Sequence, residues 1–291
     1  MQKQDRLVSL DVFRGITIAG MILVNNPGSW GSIYPPLEHA KWNGCTPTDL
    51  IFPFFLFIVG IAITLSLSKR KERGDDQNKI MLNILRRSAI LFALGLILSG
   101  FPYFDFTTIR IPGVLQRIAV VYLITSILFL KSSLNVQIFF TVFFLIIYWF
   151  LMAFIPVPGF GPANFEVGTN LAAWLDSQLL TGHMWSVTKT WDPEGILSTV
   201  PAISTALIGV LTGHWLQSKN DKTYLTVGLF IASSFLMFFG YVWDGWFPMN
   251  KSIWTSSYVL YTGGLALNFL AICFWLIDVK KITWWIKPFQ V

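Results

Sequence analysis

The sequence predicts an all-α, polytopic helical membrane protein, and three observations carry that prediction. Of its 291 residues 54% are hydrophobic and only 12% charged, with a mean hydropathy of +0.60. Soluble domains carry about 25% charged residues. The apolar residues fall in runs near the ~20 residues that a helix needs to cross a bilayer. The basic residues collect in alternate connections between those runs.

Eight complete segments are predicted, at 11–26, 48–68, 86–104, 112–130, 136–155, 195–217, 224–243 and 254–277, and a ninth begins at Trp284. Residues 1–291 read as one transmembrane domain without repeats or low-complexity tracts. Lys3 and Arg6 precede the first run, which leads into Asn-Asn-Pro-Gly rather than a small-residue cleavage site, so that segment is expected to stay in the membrane. Aromatic residues make up 16% of the chain, with 13 Trp, which suits interfacial belts.

With the N-terminus inside, the inner connections hold Lys3, Arg6, Lys69, Arg70, Lys71, Arg73, Lys79, Arg86, Arg87, Lys131, Lys219, Lys222, Lys280 and Lys281. The outer ones hold Lys41, Arg110, Lys189 and Lys251. That asymmetry predicts a cytoplasmic N-terminus and places the 27–47 loop outside. The net charge of +6 is spent on orientation in short loops and does not point to nucleic acid. The longest outer loop, 156–194, contains NLAAWLDSQLL. There Leu171, Trp174, Leu175 and Leu179 share a face, which predicts a short helix lying on the outer surface.

Polar residues inside the spans are candidates for function, because a charge at the bilayer centre costs roughly 2.5–3.5 kcal/mol on insertion scales. In the first span Asp11, Arg14, Ile18 and Asn25 share a face. Either Asp11 and Arg14 pair near the inner end, or this face lines a cavity where Arg14 meets an anionic ligand. The second span opens with TPTDL, in which Thr46, Thr48 or Asp49 can cap the helix. Asp49 and Asn25 end at similar depth, with His39 in the loop between them, so an amide, an imidazole and a carboxylate meet at the outer mouth. A packed or solvated histidine is the competing reading. In RIPGVLQRIAV, Pro112 suits a first turn, and Arg117 either snorkels outward or reaches the same cavity as Asp49. In TWDPEG, Asp192 as N-cap, Pro193 at the first helical position and Glu194 in the first turn form a helix start. The same two carboxylates can instead receive an amine-bearing substrate.

Neither His183 nor His214 has partners at metal-ligand spacing, so no metal is expected. Cys45 and Cys273 are placed near opposite sides of the membrane, which argues against a disulfide. The sequence carries no nucleophile elbow, Walker A, zincin or dinucleotide fingerprint, so a hydrolase or ATPase is not supported.

RLVSLDVFRGITIAGMILVNNPG followed by HAKWNGCTPTDLIFPFFLFIVG resembles the opening of the heparan-α-glucosaminide N-acetyltransferase family, in its shorter bacterial branch. RIPGVLQRIAV, TWDPEGILSTVPAI and NKSIWTSSYVL are similar to later blocks of that family, in the same order. The resemblance implies transfer of an acetyl group from cytoplasmic acetyl-CoA, as co-substrate, to the amine of an amino sugar or glycan across a bacterial inner membrane. It implies that His39, in HAKWNG, is the active histidine, acting as acetyl carrier or general base, with Asn25 and Asp49 as its polar partners. An imidazole ordinarily titrates near 6.5, so it suits either role. Trp42, Asn43, Asp192 and Glu194 are expected on the acceptor, and Arg14, Arg86, Arg87 and Arg117 on the CoA nucleotide. Membrane lipid surrounds such a protein, and a homodimer is left open. The chain ends at KPFQV, where family members continue into further spans, so it reads as C-terminally incomplete. The competing function is a transporter for a sugar or small anion, which would use the same intramembrane polar residues without chemistry.

Overall fold

The structure, a computed structural model, describes residues 7–290, so Lys3 and Arg6 lie outside the described residues. It contains helices α1 (Val8–Asn25), α2 (Ile51–Glu72), α3 (Gln77–Gly100), α4 (Val114–Lys131), α5 (Leu134–Phe154), α6 (Leu171–Leu179), α7 (Thr199–Leu216), α8 (Lys222–Asp244) and α9 (Ser256–Cys273), the last running on as a π turn over Phe274–Val279. All but α6 are long and apolar enough to cross a membrane, which makes eight among the described residues. No β-strand occurs among them; Val157 and Gly161 form an isolated bridge. Cys45 and Cys273 are free thiols.

The centre of the bundle is α7, buried over most of its length, with α2 and α9 packed around it. Small residues allow the close crossings. A Cβ on Gly60 of α2 would fall 1.9 Å from the Ala206 carbonyl oxygen, and one on Gly209 of α7 would fall 2.1 Å from that of Phe57. Backbones that approach this closely gain packing that lipid cannot supply. Gly240 and Gly264 play the same part between α8 and α9. Where Asp76 and Asp221 precede α3 and α8, their carboxylates accept the free backbone N–H groups of the first turn.

Two boundaries differ from the sequence reading for physical reasons. α3 begins at Gln77, nine residues earlier than expected, because the polar stretch behind the Asp76 cap continues the helix beyond its apolar core. α7 begins at Thr199, so Asp192 is not its N-cap. Residues 192–198 form turns instead. In α6 the buried set is Leu171, Ala172, Ala173 and Asp176, while Leu179 is 62% exposed. The packed side is therefore rotated from the expected apolar stripe, because the Asp176 carboxylate is drawn inward by backbone donors. From Trp284, where a ninth span was expected to begin, the described chain makes a turn and a short 3-10 helix, Lys287–Phe289, seated against Gly15 of α1.

Candidate active site

The connection from α1 to α2 is fastened at several points. Gly44, at φ +113°, donates its N–H to Met249 O at 2.7 Å. Asn250 Nδ2 donates to Asn43 Oδ1 at 3.2 Å, and Trp42 Nε1 donates to Phe165 O at 2.9 Å. The same segment is therefore tied to the α8–α9 connection and to the α5–α6 connection. At its end Pro47–Leu50 form a 3-10 turn leading into α2, and the Tyr258 hydroxyl of α9 donates to the Asp49 carbonyl at 2.5 Å.

This framing brings His39 and Asp49 together. His39 Nδ1 lies 2.6 Å from Asp49 Oδ1. Oδ2 accepts from Thr46 N at 3.0 Å, Thr46 Oγ1 at 3.0 Å and Ala40 N at 3.1 Å. The carboxylate is buried, whereas the imidazole is half exposed. A bare Nδ1 lone pair facing a carboxylate oxygen at that distance would be repulsive, so Nδ1 carries the proton and donates it to Asp49. In the neutral ring Nε2 is then the nitrogen with a free lone pair. Lys251, from the connection before α9, places Nζ 3.0 Å from His39 Nδ1 and 3.4 Å from Asp49 Oδ1.

His39, Asp49 and Lys251 line a cavity of about 620 Å³. Its apolar part is walled by Thr17, Ile18, Met21 and Val24 of α1, by Phe52 and Phe55 of α2, and by Leu115 and Ile118 of α4. Its polar part holds Asn25, Lys41, Arg110 and Glu194 and the indoles of Trp42, Trp185, Trp191 and Trp254. Trp42 and Trp191 meet edge to face at 5.2 Å. Arg110 forms a fork on Asp192, with Nε to Oδ2 at 2.8 Å and Nη2 to Oδ1 at 2.6 Å, and Nη2 also reaches Glu194 Oε2 at 2.5 Å. Burial opposes the Arg110 charge, but these two carboxylates outweigh it and raise its pKa. Below the fork, Asp176 of α6 accepts Ile196 N at 3.0 Å and Asp192 N at 3.3 Å, which fixes the loop that carries Glu194. Burial pushes the Asp176 carboxyl up to about 6 against the pull of those two amides.

A sequence profile described as "Heparan-alpha-glucosaminide N-acetyltransferase, catalytic" matches residues 6–241. The chain belongs to this family. It is similar to the heparan-alpha-glucosaminide N-acetyltransferase of Mus musculus, at 30% identity over 339 aligned positions that cover 98% of this chain and 51% of the relative. It is similar also to that of Homo sapiens, at 30% identity over 338 positions covering 98% of this chain and 50% of the relative. The chain thus spans about half the length of the curated relatives it matches. Eight apolar helices together with this kinship make it a multi-pass membrane protein.

Within this N-acetyltransferase family chain, His39, Asp49, Asn25, Trp42 and Glu194 share the cavity, and the other candidates do not line it. Asn43 is held by Asn250. Asp192 is buried beneath the Arg110 fork rather than capping a helix. Arg117 neither snorkels outward nor enters the cavity. It is 2% exposed, stacks its guanidinium 5.1 Å from the Trp254 ring, and donates to Ser198 Oγ at 2.5 Å and Gly195 O at 3.3 Å. It thereby braces the turns that precede α7 and the indole that walls the site. Arg14 is paired with Asp11 at 2.8 Å, one turn beyond the cavity's last α1 residue. Arg86 and Arg87 line a separate shallow depression on α3, with Arg87 5.1 Å from the Tyr122 ring.

Sequence reasoning passed over Lys251 and Arg110 as site residues, and with them Trp185, Trp191 and Trp254. A signal for the first two existed. Of the four cations that the sequence reading assigns to the sparsely charged connections, Lys41, Arg110 and Lys251 line the cavity, so charges that run against the Lys/Arg bias mark the site.

Proposed function

We propose that this chain carries the acetyl-transfer centre of a membrane N-acetyltransferase. Acetyl-CoA enters from the cytoplasm, and the acceptor is the amine of an amino sugar or cell-envelope glycan on the periplasmic side of a bacterial inner membrane. The observation that carries the reading is the His39–Asp49 dyad at a cavity with one apolar and one aromatic, charged part.

The chemistry follows from the donor set. Asp49 fixes the tautomer and stabilises the imidazolium, as the carboxylate does in a hydrolase triad. His39 Nε2 then takes the proton of an amine that attacks the thioester carbonyl, or itself attacks that carbonyl to give an acetyl-imidazole that the amine then opens; in either route the C–S bond breaks and CoA leaves as the thiolate. Asn25, at the end of α1 and on the same cavity, is assigned to the developing oxyanion, a contribution worth about 3 kcal/mol where such a donor has been removed. Glu194 is assigned to the incoming ammonium. The tryptophans give flat apolar faces to the sugar ring. The apolar part of the cavity suits the pantetheine arm. Arg86 and Arg87 lie about 20 Å along α3 from its C-terminal end and are assigned to the CoA nucleotide.

The test is transfer of label from acetyl-CoA to glucosamine in membranes carrying the protein. Wild type is expected to form N-acetylglucosamine and His39→Ala to form none. Equal product from the mutant would remove His39 from the reaction. Uptake of the sugar without an acetylated product would establish transport instead.

A further inference from the structure

Lys251 is a cation inside the catalytic dyad with no role in the scheme above. Its Nζ lies closer to His39 Nδ1, at 3.0 Å, than to Asp49 Oδ1, at 3.4 Å. Nδ1 already donates to Asp49, so Lys251 gives a hydrogen to the carboxylate and sits beside the ring as a charge. Its side chain is 25% exposed. Burial lowers its pKa, while Asp49 and Glu194 draw it back toward the ammonium.

We infer that Lys251 is a positioning residue that keeps the resting His39 ring neutral, offsetting the charge of Asp49 beside it. The inference takes His39 as the reacting group of the proposed transferase. The other charges near the ring are Asp49 from the 3-10 turn, Glu38 and Lys41 from its own loop, and Arg110 and Glu194 across the cavity. Arg110 is neutralised by Asp192 and Glu194. Asp49 is shared by His39 and Lys251. Asp49 alone would favour an imidazolium, which is protonated and therefore useless both as base and as nucleophile. A like charge disfavours the ionised form of its neighbour, and a cation 3 Å away offsets the carboxylate. The pair thus retains the orienting force of Asp49 without its tendency to charge the ring.

Diethyl pyrocarbonate separates this role from a structural one, since it modifies only unprotonated imidazole. The full chain in detergent is treated across a pH series, and carbethoxylation of His39 is followed by peptide mass spectrometry, with His183 and His214 as internal references. Lys251→Met and Lys251→Gln are expected to move the His39 midpoint up by about one pH unit, leaving the two references in place. Lys251→Arg, which keeps the charge, is expected to restore the wild-type midpoint. An unmoved midpoint in both neutral variants, or the same rise in Lys251→Arg, overturns the inference. The acid limb of acetyl transfer is expected to shift in the same direction. A wild-type chain that transfers no acetyl group would reject the proposed function and leave the labelling result to decide the part played by Lys251.

Discussion

The two oxygens of Asp49 do separate work: Oδ1 holds His39 Nδ1 at 2.6 Å, and Oδ2 accepts three donors from Thr46 and Ala40. The second set reaches back from the third position of the turn, as the acid of a capping box does. Capping and catalytic readings of TPTDL are thus compatible in one side chain, and the cap is what fixes the carboxylate against which the imidazole is oriented.

Asp49→Asn separates the two. The amide oxygen can still accept from the turn, so the fold is expected to survive. The remaining group facing Nδ1 no longer carries a negative charge, and the His39 tautomer is no longer enforced. By analogy with the triad aspartate, turnover is expected to fall by about 10⁴-fold. The check is kcat for acetyl transfer alongside the melting temperature. Loss of activity with a parallel collapse in melting temperature would assign Asp49 to the cap alone.

Glu194→Gln addresses the acceptor. Glu194 lines the cavity, yet its backbone N–H is held by Asp192 Oδ1 at 2.9 Å, so the loop geometry should persist without its charge. Loss of an ammonium partner is expected to raise KM for the amino sugar by roughly ten- to hundredfold, equivalent to about 1.4–2.7 kcal/mol, and to leave KM for acetyl-CoA unchanged. Steady-state kinetics with each substrate varied in turn provide the measurement. An equal rise in both constants would place Glu194 in the scaffold.

How much of this was legible follows from how far apart the partners lie. The spans were readable because length and hydropathy suffice to define them. His39 and Asp49 are ten residues apart on one loop, so their meeting was readable from local spacing. Lys251 is 212 residues from His39, and nothing in NKSIW announces which imidazole it will touch. Neither alternative for Arg117, snorkelling outward or reaching the cavity, holds, because a charged residue near a span end gives no sign of which buried partners it will meet. Its actual partners, Ser198 and Gly195, come from turns that the sequence suggested were already helix.

Asp176 makes the loop bearing Glu194 sensitive to pH. Its carboxyl is raised from 3.8 to about 6, chiefly by burial, with Asp192 adding to the rise. A raised pKa means the folded state holds the proton more tightly than the unfolded one. The stabilisation is therefore fully present below about 4 and is lost as pH rises through about 6, a swing of about 3 kcal/mol at most. Asp176→Asn cannot titrate. Melting temperature, measured from pH 4 to about 7, is expected to fall more steeply for wild type than for this variant. Parallel curves would show that Asp176 does not titrate in that window.

The last prediction concerns the crossing of α2 and α7, on which the site depends, because α2 carries Phe52 into the cavity and continues from the 3-10 turn that holds Asp49. A side chain at Gly60 meets the backbone of α7, with the Ala206 carbonyl at 1.9 Å and the Val210 nitrogen at 2.9 Å from where its Cβ would lie. No rotamer relieves a clash with main chain, so the helices must separate. Ala206 and Val210 are fully buried, and separation would also open the core that Ala206 shares with Leu56 and Phe57. Overpacking of this kind costs about 1–3 kcal/mol or more. Gly60→Val is expected to lower the melting temperature of the detergent-solubilised protein and to weaken acetyl transfer through displacement of Asp49. By contrast, at Gly74, where φ is +70° and no atom lies within 4 Å, substitution strains the backbone without touching a neighbour. Gly74→Val is therefore expected to cost about 1–2 kcal/mol in a connection remote from the cavity and to leave activity intact. If the two variants behave alike in the melting and transfer assays, close helix approach at Gly60 is not what holds the site together.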